Sequence, residues 1–349
     1  ITYGILVLWG VLTLVFFLFN VLPGDPARMM LDKREDANQL AIIKQKYAFD
    51  RSVGEQYALY LNDVLPVSIH HNSATAFTSL ASGKYQFSKL FMISDYTLVF
   101  KVPYLRESFV RTGTSVTTII GNTFKNTFVL ALSSIGIALF LGLILGVFSA
   151  LYKDTLIDKL ILFISVLGMS LPSFFASIIM AWLFGFVLHS VTGLNMTGSL
   201  YEVDDYGRGS FLQLKNLILP AVTLGIRPLS VIIQLCRNSL LEVLSLDYVR
   251  TATAKGLNKF TVIFKHALRN ALNPVVTAVS GWFASLLAGA VFVEYIFAWN
   301  GIGKEIVDAL NKMDLPVVMG SVLFIASIFV IINIIVDLIY GWLDPRIRI

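Results

Sequence analysis

The sequence predicts an all-α membrane protein with six transmembrane helices and a large extracytoplasmic segment between helices 1 and 2. Three observations carry that expectation. Hydrophobic residues make up 56% of the 349 and charged residues only 14%, with a mean hydropathy of +0.75. A soluble domain carries about 25% charged residues, so the polar surface here is too small to cover a water-soluble globule. Six apolar stretches reach the roughly 20 residues needed to cross a hydrocarbon core. Lysines and arginines also gather on alternate short loops, as they do when a chain threads a bilayer.

The first stretch, Tyr3 to Leu22, is too long for a signal-peptide core and lacks a small-residue cleavage site, so it reads as a retained helix. The chain opens at Ile1 without a methionine, and a short basic N-terminus is expected ahead of it. PGDPA at Pro23 to Ala27 breaks the helix through proline, glycine and an X-Pro bond. Residues 23–121 then form the extracytoplasmic segment: a charged, helical piece from Asp32 to Asn62, followed by a Ser/Thr-richer region with short β-like runs such as YTLVFKV at Tyr96 to Val102. His70 and His71 are adjacent there, but neighbouring residues rarely both face one metal and no partner Cys or His lies nearby, so no metal site is predicted.

The other five spans are Thr127 to Tyr152, Leu160 to Val191, Asn216 to Cys236, Ala271 to Val293, and Pro316 to Val336. A strand reading fails because these runs far exceed the roughly 10 residues of a membrane β-strand. Pro172 removes a backbone hydrogen bond inside the third span and is expected to kink it. Residues 122–349 thus make a five-helix core that includes a polar loop at 237–270.

Orientation follows from the short loops. Lys153 and Lys159 lie between spans two and three, and Arg237, Arg250, Lys255, Lys259, Lys265 and Arg269 between four and five. Arg346 and Arg348 follow span six. The opposite connections hold Arg208, Lys215, Lys304 and Lys312, with Glu202, Asp204, Asp205, Glu305, Asp308 and Asp314 among them. The positive-inside rule therefore places both termini and the 237–270 loop in the cytoplasm, and the long 23–121 segment outside. The basic balance, with a pI of 9.1, reads as a topology signal rather than a nucleic-acid-binding stripe, so no nucleic acid partner is expected.

Much familiar chemistry is missing. No G-x-x-x-x-G-K-[ST] run is present to cradle ATP phosphates, and no G-x-S-x-G, H-E-x-x-H or paired-cysteine motif occurs. Cys236 is the single cysteine, so no internal disulfide forms. The chain is accordingly expected to be no enzyme and to bind no cofactor or metal itself. Ion-coupled carriers usually bury carboxylates or histidines within their spans. Here the candidates are Arg227 in span four, His189 near the outer end of span three, and Asp337 near the inner end of span six. Asp337 lies close enough to water to snorkel or pair with Arg346. Arg227, followed by Pro228 in an apolar helix, is expected to face protein or a water-filled cavity. Gly142 and Gly146 form a GxxxG pair, and Gly281, Ser285 and Gly289 recur at intervals of four. Small residues at that spacing let helices approach closely, within a subunit, between subunits or around a pathway. With Ser170, Pro172 and Arg227, the Gly281, Ser285 and Gly289 stripe supplies the candidate pathway and packing residues.

The loop between spans four and five is the exception to the apolar pattern. Leu241, Leu244, Tyr248 and Ala252 fall on one helical face, with Arg237, Glu242, Arg250 and Lys255 around them. Gly256 tolerates the left-handed conformation that ends a helix. A second basic segment, Lys259 to Asn270, carries Phe260, Ile263, Phe264, Ala267 and Leu268. Two readings fit: a helix lying on anionic headgroups, or a docking helix whose small Ala252, Thr253 and Ala254 fit the groove of a soluble partner.

DYVRTATAKGL followed by HALRNALNPVV resembles the cytoplasmic loop of inner-membrane permease subunits of ABC importers, whose general pattern is E-A-A-x-x-x-G, nine residues, then I-x-L-P. Arg250, Thr251 and Ala252 occupy the E-A-A positions, Gly256 the glycine, and His266 and Leu268 the I and L positions. Arg250, His266 and Arg269 depart from that pattern in a way that itself resembles the dipeptide/oligopeptide/nickel branch, where Thr253 replaces a usual arginine. LPGDPA, LGVFSALY, SLPSFF at Ser170 to Phe175, RNSLLEVL at Arg237 to Leu244, GAVFVEYIFAWNGIG at Gly289 to Gly303 and the ending DLIYGWLDPRI resemble the same branch. Asn300 stands where proline is usual, and the stretch between Ser68 and Leu105 matches poorly and looks like an insertion.

The resemblance implies the type I ABC importer permease fold in a bacterial cytoplasmic membrane. It implies a second homologous permease, two ATPase subunits holding ATP and magnesium, an extracytoplasmic substrate-binding protein, and membrane lipid around the spans. Its cargo would be dipeptides or oligopeptides, with nickel chelates, glycosides or another small solute of the same branch as the alternative. It further implies that Leu244, Asp247, Tyr248, Val249, Arg250, Thr251, Ala252, Lys255, Gly256 and Leu257 couple the permease to an ATPase.

Overall fold

The computed structural model describes residues 2–21, 37–73, 76–204 and 209–343. The chain divides into two units, Ile1–Asn122 with Ile306–Ala326, and Thr123–Glu305 with Ser327–Ile349.

The first unit begins with α1 (Thr2–Val21), which carries no charged residue. The charged stretch after it is helical, as expected, in two pieces, α2 (Ala37–Tyr47) and α3 (Val53–Val64). They separate where Ala48 adopts φ +60° and Ser52 caps α3 in a reciprocal capping box with Glu55. Residues 32–36, and the PGDPA break before them, lie outside the described residues. Next come β1 (Val67–His71), β2 (Phe87–Ile93) and β3 (Tyr96–Lys101), an antiparallel sheet in the order β1–β3–β2. The molecule is therefore mostly helical rather than all-α. The β-like run read at Tyr96 is β3, where alternating β-branched and aromatic residues suit a pleated, half-buried surface. Thr97, Val99 and Lys101 point inward from it. Strand alternation also sends His70 and His71 to opposite faces. His70 is buried between the Ser68 hydroxyl and the Thr78 carbonyl, each at 2.9 Å, while His71 Nδ1 accepts from the Ser73 amide at 2.9 Å.

Asp63 organises the polar centre of this unit. Its carboxylate accepts from the Tyr85 hydroxyl at 2.8 Å and from Arg106 Nε at 2.9 Å. Lys101 Nζ donates to the Asp63 carbonyl at 2.6 Å and sits over the Tyr85 ring. Burial lowers the Lys101 ammonium to about 8, against the upward pull of Asp63. The fold thus holds this proton less readily than the unfolded chain, whose value is 10.5. That penalty is full below about pH 8 and is released as pH rises from 8 toward 10.5. Protection of the β1 and β3 amides from hydrogen exchange, corrected for intrinsic rate, should therefore rise between pH 7 and pH 9 and stay level in Lys101→Met.

The second unit is built on long helices: most of α4 (Val116–Leu151), then α5 (Leu156–Ser170), α6 (Ser173–Met180) running on as a π turn to Val187, the short α7 (His189–Thr192), and α8 (Lys215–Leu244). A two-stranded hairpin, β4 (Tyr201–Val203) and β5 (Ser210–Leu212), precedes α8. After α8 come α9 (Asp247–Ala254), α10 (Lys259–Thr261), α11 (Leu268–Ala271), α12 (Asn273–Gly289), α13 (Val291–Ile296), α14 (Ile302–Asn311) and α15 (Leu315–Leu343), the last two shared with the first unit. Among the described residues α4, α8 and Leu315–Leu338 of α15 are long and apolar enough to cross a membrane, and the α5–α6 pair with its π turn passes as a bent fourth. The apolar part of α1, Tyr3–Phe19, and the 17-residue α12 are shorter. The expected kink at Pro172 is a full break of 108°. Leu171 is extended at φ −76°, ψ 127°, the conformation a following proline imposes, so α5 stops and α6 starts afresh.

The GxxxG pair packs α4 against α8: a Cβ at Gly142 would meet Ile232 at 2.6 Å, and one at Gly146 would meet Cys236 at 2.7 Å. Gly225 and Ser134 repeat this approach further along, where a Cβ would lie 2.9 Å from the Ser134 carbonyl. Close backbone contact of this kind is what small residues permit in an apolar helix pair.

The VEYIFAWNGIG run becomes a local cap. Glu294 is fully buried and accepts from the Thr127 hydroxyl at 2.6 Å and from the Gly303 and Lys304 amides at 2.7 and 3.2 Å. The two amides belong to the first turn of α14, so the carboxylate satisfies donors that a helix N-terminus leaves open. Asn300, the departure from the family's proline, donates its backbone N–H to the Ser199 hydroxyl at 3.1 Å. A proline has no hydrogen there to give.

Candidate functional site

The loop after α8 folds as the spacing suggests, with one change. α8 ends at Leu244, Ser245 and Leu246 form a turn, and α9 begins anew at Asp247 with Leu246 extended as its cap residue. The single face expected through Leu241, Leu244, Tyr248 and Ala252 is therefore split between two helices. Leu241 and Leu244 are partly buried against the core that surrounds Leu240 and Val243. On α9 the inward residues are Val249 and Ala252, both buried in that core with Val262, Ala267 and Ala271. Sequence periodicity missed Val249 as the anchor because it ran one register across the turn at Ser245.

The outward face of α9 is polar and open. Asp247, Arg250, Thr251, Thr253, Ala254 and Lys255 are exposed. Asp247 lies in the first turn, where a carboxylate complements the helix dipole, and it meets Arg250 at 3.5 Å with both side chains largely in solvent. An exposed pair of that kind contributes about 0–1 kcal/mol. Thr251 and Thr253 turn their hydroxyls back to the Asp247 and Val249 carbonyls at 2.8 and 3.0 Å. Gly256 takes φ +78° with open space around its Cα, a conformation that L-residues adopt only under strain. Beyond it Leu257 is exposed, and Asn258 caps the next segment by accepting from the Thr261 amide at 2.7 Å.

Tyr248 locks the two halves of the loop together. Its hydroxyl accepts from Asn270 Nδ2 at 2.8 Å and donates to the His266 carbonyl at 3.4 Å. Phe260 and Phe264 meet in a tilted ring pair with centroids 4.4 Å apart, both exposed.

The base of the loop holds a buried ion pair that the sequence reading passed over. Arg237 binds Asp158 with Nε and Nη2 each at 2.7 Å. Asp158 also accepts from the Ser149 hydroxyl at 2.5 Å and the Asp154 amide at 3.0 Å. The ends of α4 and α8 and the start of α5 are thereby tied at one carboxylate. In the sequence Asp158 stands in the charged loop between Lys153 and Lys159, and nothing in its spacing singles out Arg237 as its partner.

The candidate pathway residues do not form one cluster. Ser170 bonds back to the Val166 carbonyl at 2.9 Å beside the Pro172 break. Gly281 and Ser285 are exposed on α12, and among the described residues nothing beyond the helix's own neighbouring backbone lies within 4 Å of a Cβ at Gly281. Gly289 closes α12, and its surroundings lie outside the described residues. Arg227 is exposed on α8. His189 is exposed, with Nδ1 donating to the Leu194 carbonyl at 2.6 Å, and Asp337 is exposed on α15. Its sequence-suggested partner Arg346 lies outside the described residues. Among the described residues no three His, Cys, Asp or Glu side chains gather as metal ligands.

Comparison with known proteins gives the relatives of the chain. A dipeptide transport system permease protein DppB of Alkalihalophilus pseudofirmus is 32% identical, covering 98% of this chain and 96% of the relative. The di/tripeptide transport system permease protein DppB of Pseudomonas aeruginosa is 33% identical over 97% and 94%, and DppB of Escherichia coli K12 is 30% identical over 97% and 94%. In three dimensions the chain resembles a subunit of the MetNI methionine ABC transporter in an inward-facing crystal form, with TM-score 0.50, 18% identity, and coverage of 65% of this chain and 97% of that one; at that identity the likeness is one of fold. Residues 2–89 match the N-terminal region described for binding-protein-dependent transport system membrane components. Residues 142–349 match the family described as binding-protein-dependent transport system inner membrane component, and the chain belongs to that family.

Proposed function

We propose that this chain is the transmembrane permease subunit of an ATP-driven importer that moves dipeptides or oligopeptides across the cytoplasmic membrane. The observation that carries this is identity of 30% or more, over nearly the whole chain, to permeases named for dipeptide and di/tripeptide transport. In this reading six spans thread the membrane: α1, α4, the bent α5–α6 pair, α8, α12 with α13, and α15. Both termini and α9 lie in the cytoplasm, and residues 23–121 face outward.

The chain does no chemistry itself. ATP and magnesium belong to two ATPase subunits, a second homologous permease completes the path, and an extracytoplasmic binding protein delivers substrate. The exposed face of α9 docks in a cleft of one ATPase, while its inner face, Val249 and Ala252, is continuous with the core around α8. That arrangement suits a coupling element: a push on the outer face reaches the spans through packed side chains. Transport then follows if the two ATPase states favour two arrangements of the spans.

The test is reconstitution of this chain with its partners in proteoliposomes and measurement of ATP-dependent uptake of a labelled dipeptide. Uptake should require every partner and stop when either ATPase is omitted. Flux through this chain alone, or uptake of a nickel chelate in place of the dipeptide, would overturn the reading.

A further inference from the structure

Arg227 is costly where it stands. It lies twelve residues beyond Lys215, the first residue of α8, roughly 18 Å along the helix at 1.5 Å per residue, deep within a hydrocarbon core about 30 Å thick. Its side chain is exposed on the surface of this chain, and among the described residues no hydrogen bond or ion pair holds it. An arginine among acyl chains is strongly unfavourable, so the surroundings of this one are water or protein.

Its neighbours point to water. Gln234 lies seven residues further along α8, within about 20° of Arg227 around the helix, a half-buried amide that donates to Met169 Sδ at 3.6 Å. Pro228 follows directly and gives no N–H to the helix, so the Leu224 carbonyl loses its helical donor. On α12, which packs against α8, the exposed residues at four-residue spacing are Thr277, Gly281 and Ser285. Hydroxyls and a glycine are a poor face to offer acyl chains, which favour leucine, isoleucine and phenylalanine. Two adjoining helices thus present polar or small faces, and a guanidinium projects from one of them.

We propose that Arg227 is a substrate-contacting residue of the translocation path that receives the C-terminal carboxylate of the peptide in passage. The inference rests on the peptide-importer reading above. A guanidinium offers paired N–H donors in the geometry a carboxylate accepts. Every unmodified linear peptide ends in that carboxylate whatever its sequence, so the contact selects peptides as a class without choosing among them. Access of water keeps the contact weak enough for release.

The experiment uses the complete importer with its binding protein and ATPases in proteoliposomes. Uptake of a tripeptide is compared with that of its C-terminal amide, for the wild type, Arg227→Gln and Arg227→Lys. Arg227→Gln should lower free-acid uptake about tenfold, the loss of one charge-assisted contact, and leave amide uptake nearly unchanged; Arg227→Lys should retain part of the preference. The binding protein is common to all three, so its own preference cancels. An acid-to-amide ratio that is the same in wild type and Arg227→Gln overturns the inference and leaves the peptide reading standing. Failure of Arg227→Gln to assemble with the second permease also overturns it, by placing Arg227 at a subunit contact. A wild type that takes up neither peptide removes the importer reading and the inference with it.

Discussion

Asp158→Ala is expected to destabilise the second unit by roughly 3–5 kcal/mol, because it leaves a buried arginine without its counter-ion. The side chains of Asp158 and Arg237 are only 3% and 14% exposed, and both Arg237 contacts measure 2.7 Å. The carboxylate also satisfies the Ser149 hydroxyl and the Asp154 amide, so alanine strands four donors at once. Asp158→Asn should cost less, since it keeps an acceptor for some of those donors while losing the charge. Adding Arg237→Leu to Asp158→Ala should recover much of the loss, as removing both charges is far milder than removing one. Thermal melting of the purified chain in detergent reads all three. An unchanged midpoint in Asp158→Ala would show that the knot does not hold the helix ends together.

Ala254→Trp, on the open face of α9, should cut peptide uptake tenfold or more while the protein still inserts, assembles and melts at the wild-type temperature. A bulky ring there meets no atom group of this chain's core, whereas a partner cleft shaped for alanine would be blocked. Ala252→Asp is the contrasting control. Ala252 is buried beside Val249 and Val262, so a carboxylate there damages this chain's own packing, and lost uptake would come with lost stability. Gly256→Asp combines both effects, adding the strain of an L-residue at φ +78°, about 1–2 kcal/mol, to a charge at the turn. Full uptake by an assembled importer carrying Ala254→Trp would remove α9 from the coupling interface.

Val249 shows where sequence reading stops. Continuous periodicity put Leu241, Leu244, Tyr248 and Ala252 on one face, and the break at Ser245 resets the helical phase so that Val249 joins Ala252 inside while Tyr248 and Ala254 are exposed. Pro172 was legible in part: its missing N–H predicts a kink, and the extended Leu171 before it makes that kink a 108° break.

The sequence by itself determined the apolar, mostly helical character of the chain, the polar loop with its glycine turn, the close approach at Gly142 and Gly146, and the family to which these belong. Those properties are local, set by side-chain hydropathy, backbone freedom and residue spacing along one segment. The tertiary structure alone decided that Arg237 finds Asp158, that Glu294 caps a helix eight residues ahead, that Asp63 gathers Tyr85, Lys101 and Arg106, and that Arg227 is left facing outward. The first three are polar groups whose burial is tolerable only with a partner, and the partner is chosen by which segments meet in space; Arg227 is exposed and has no such partner among the described residues.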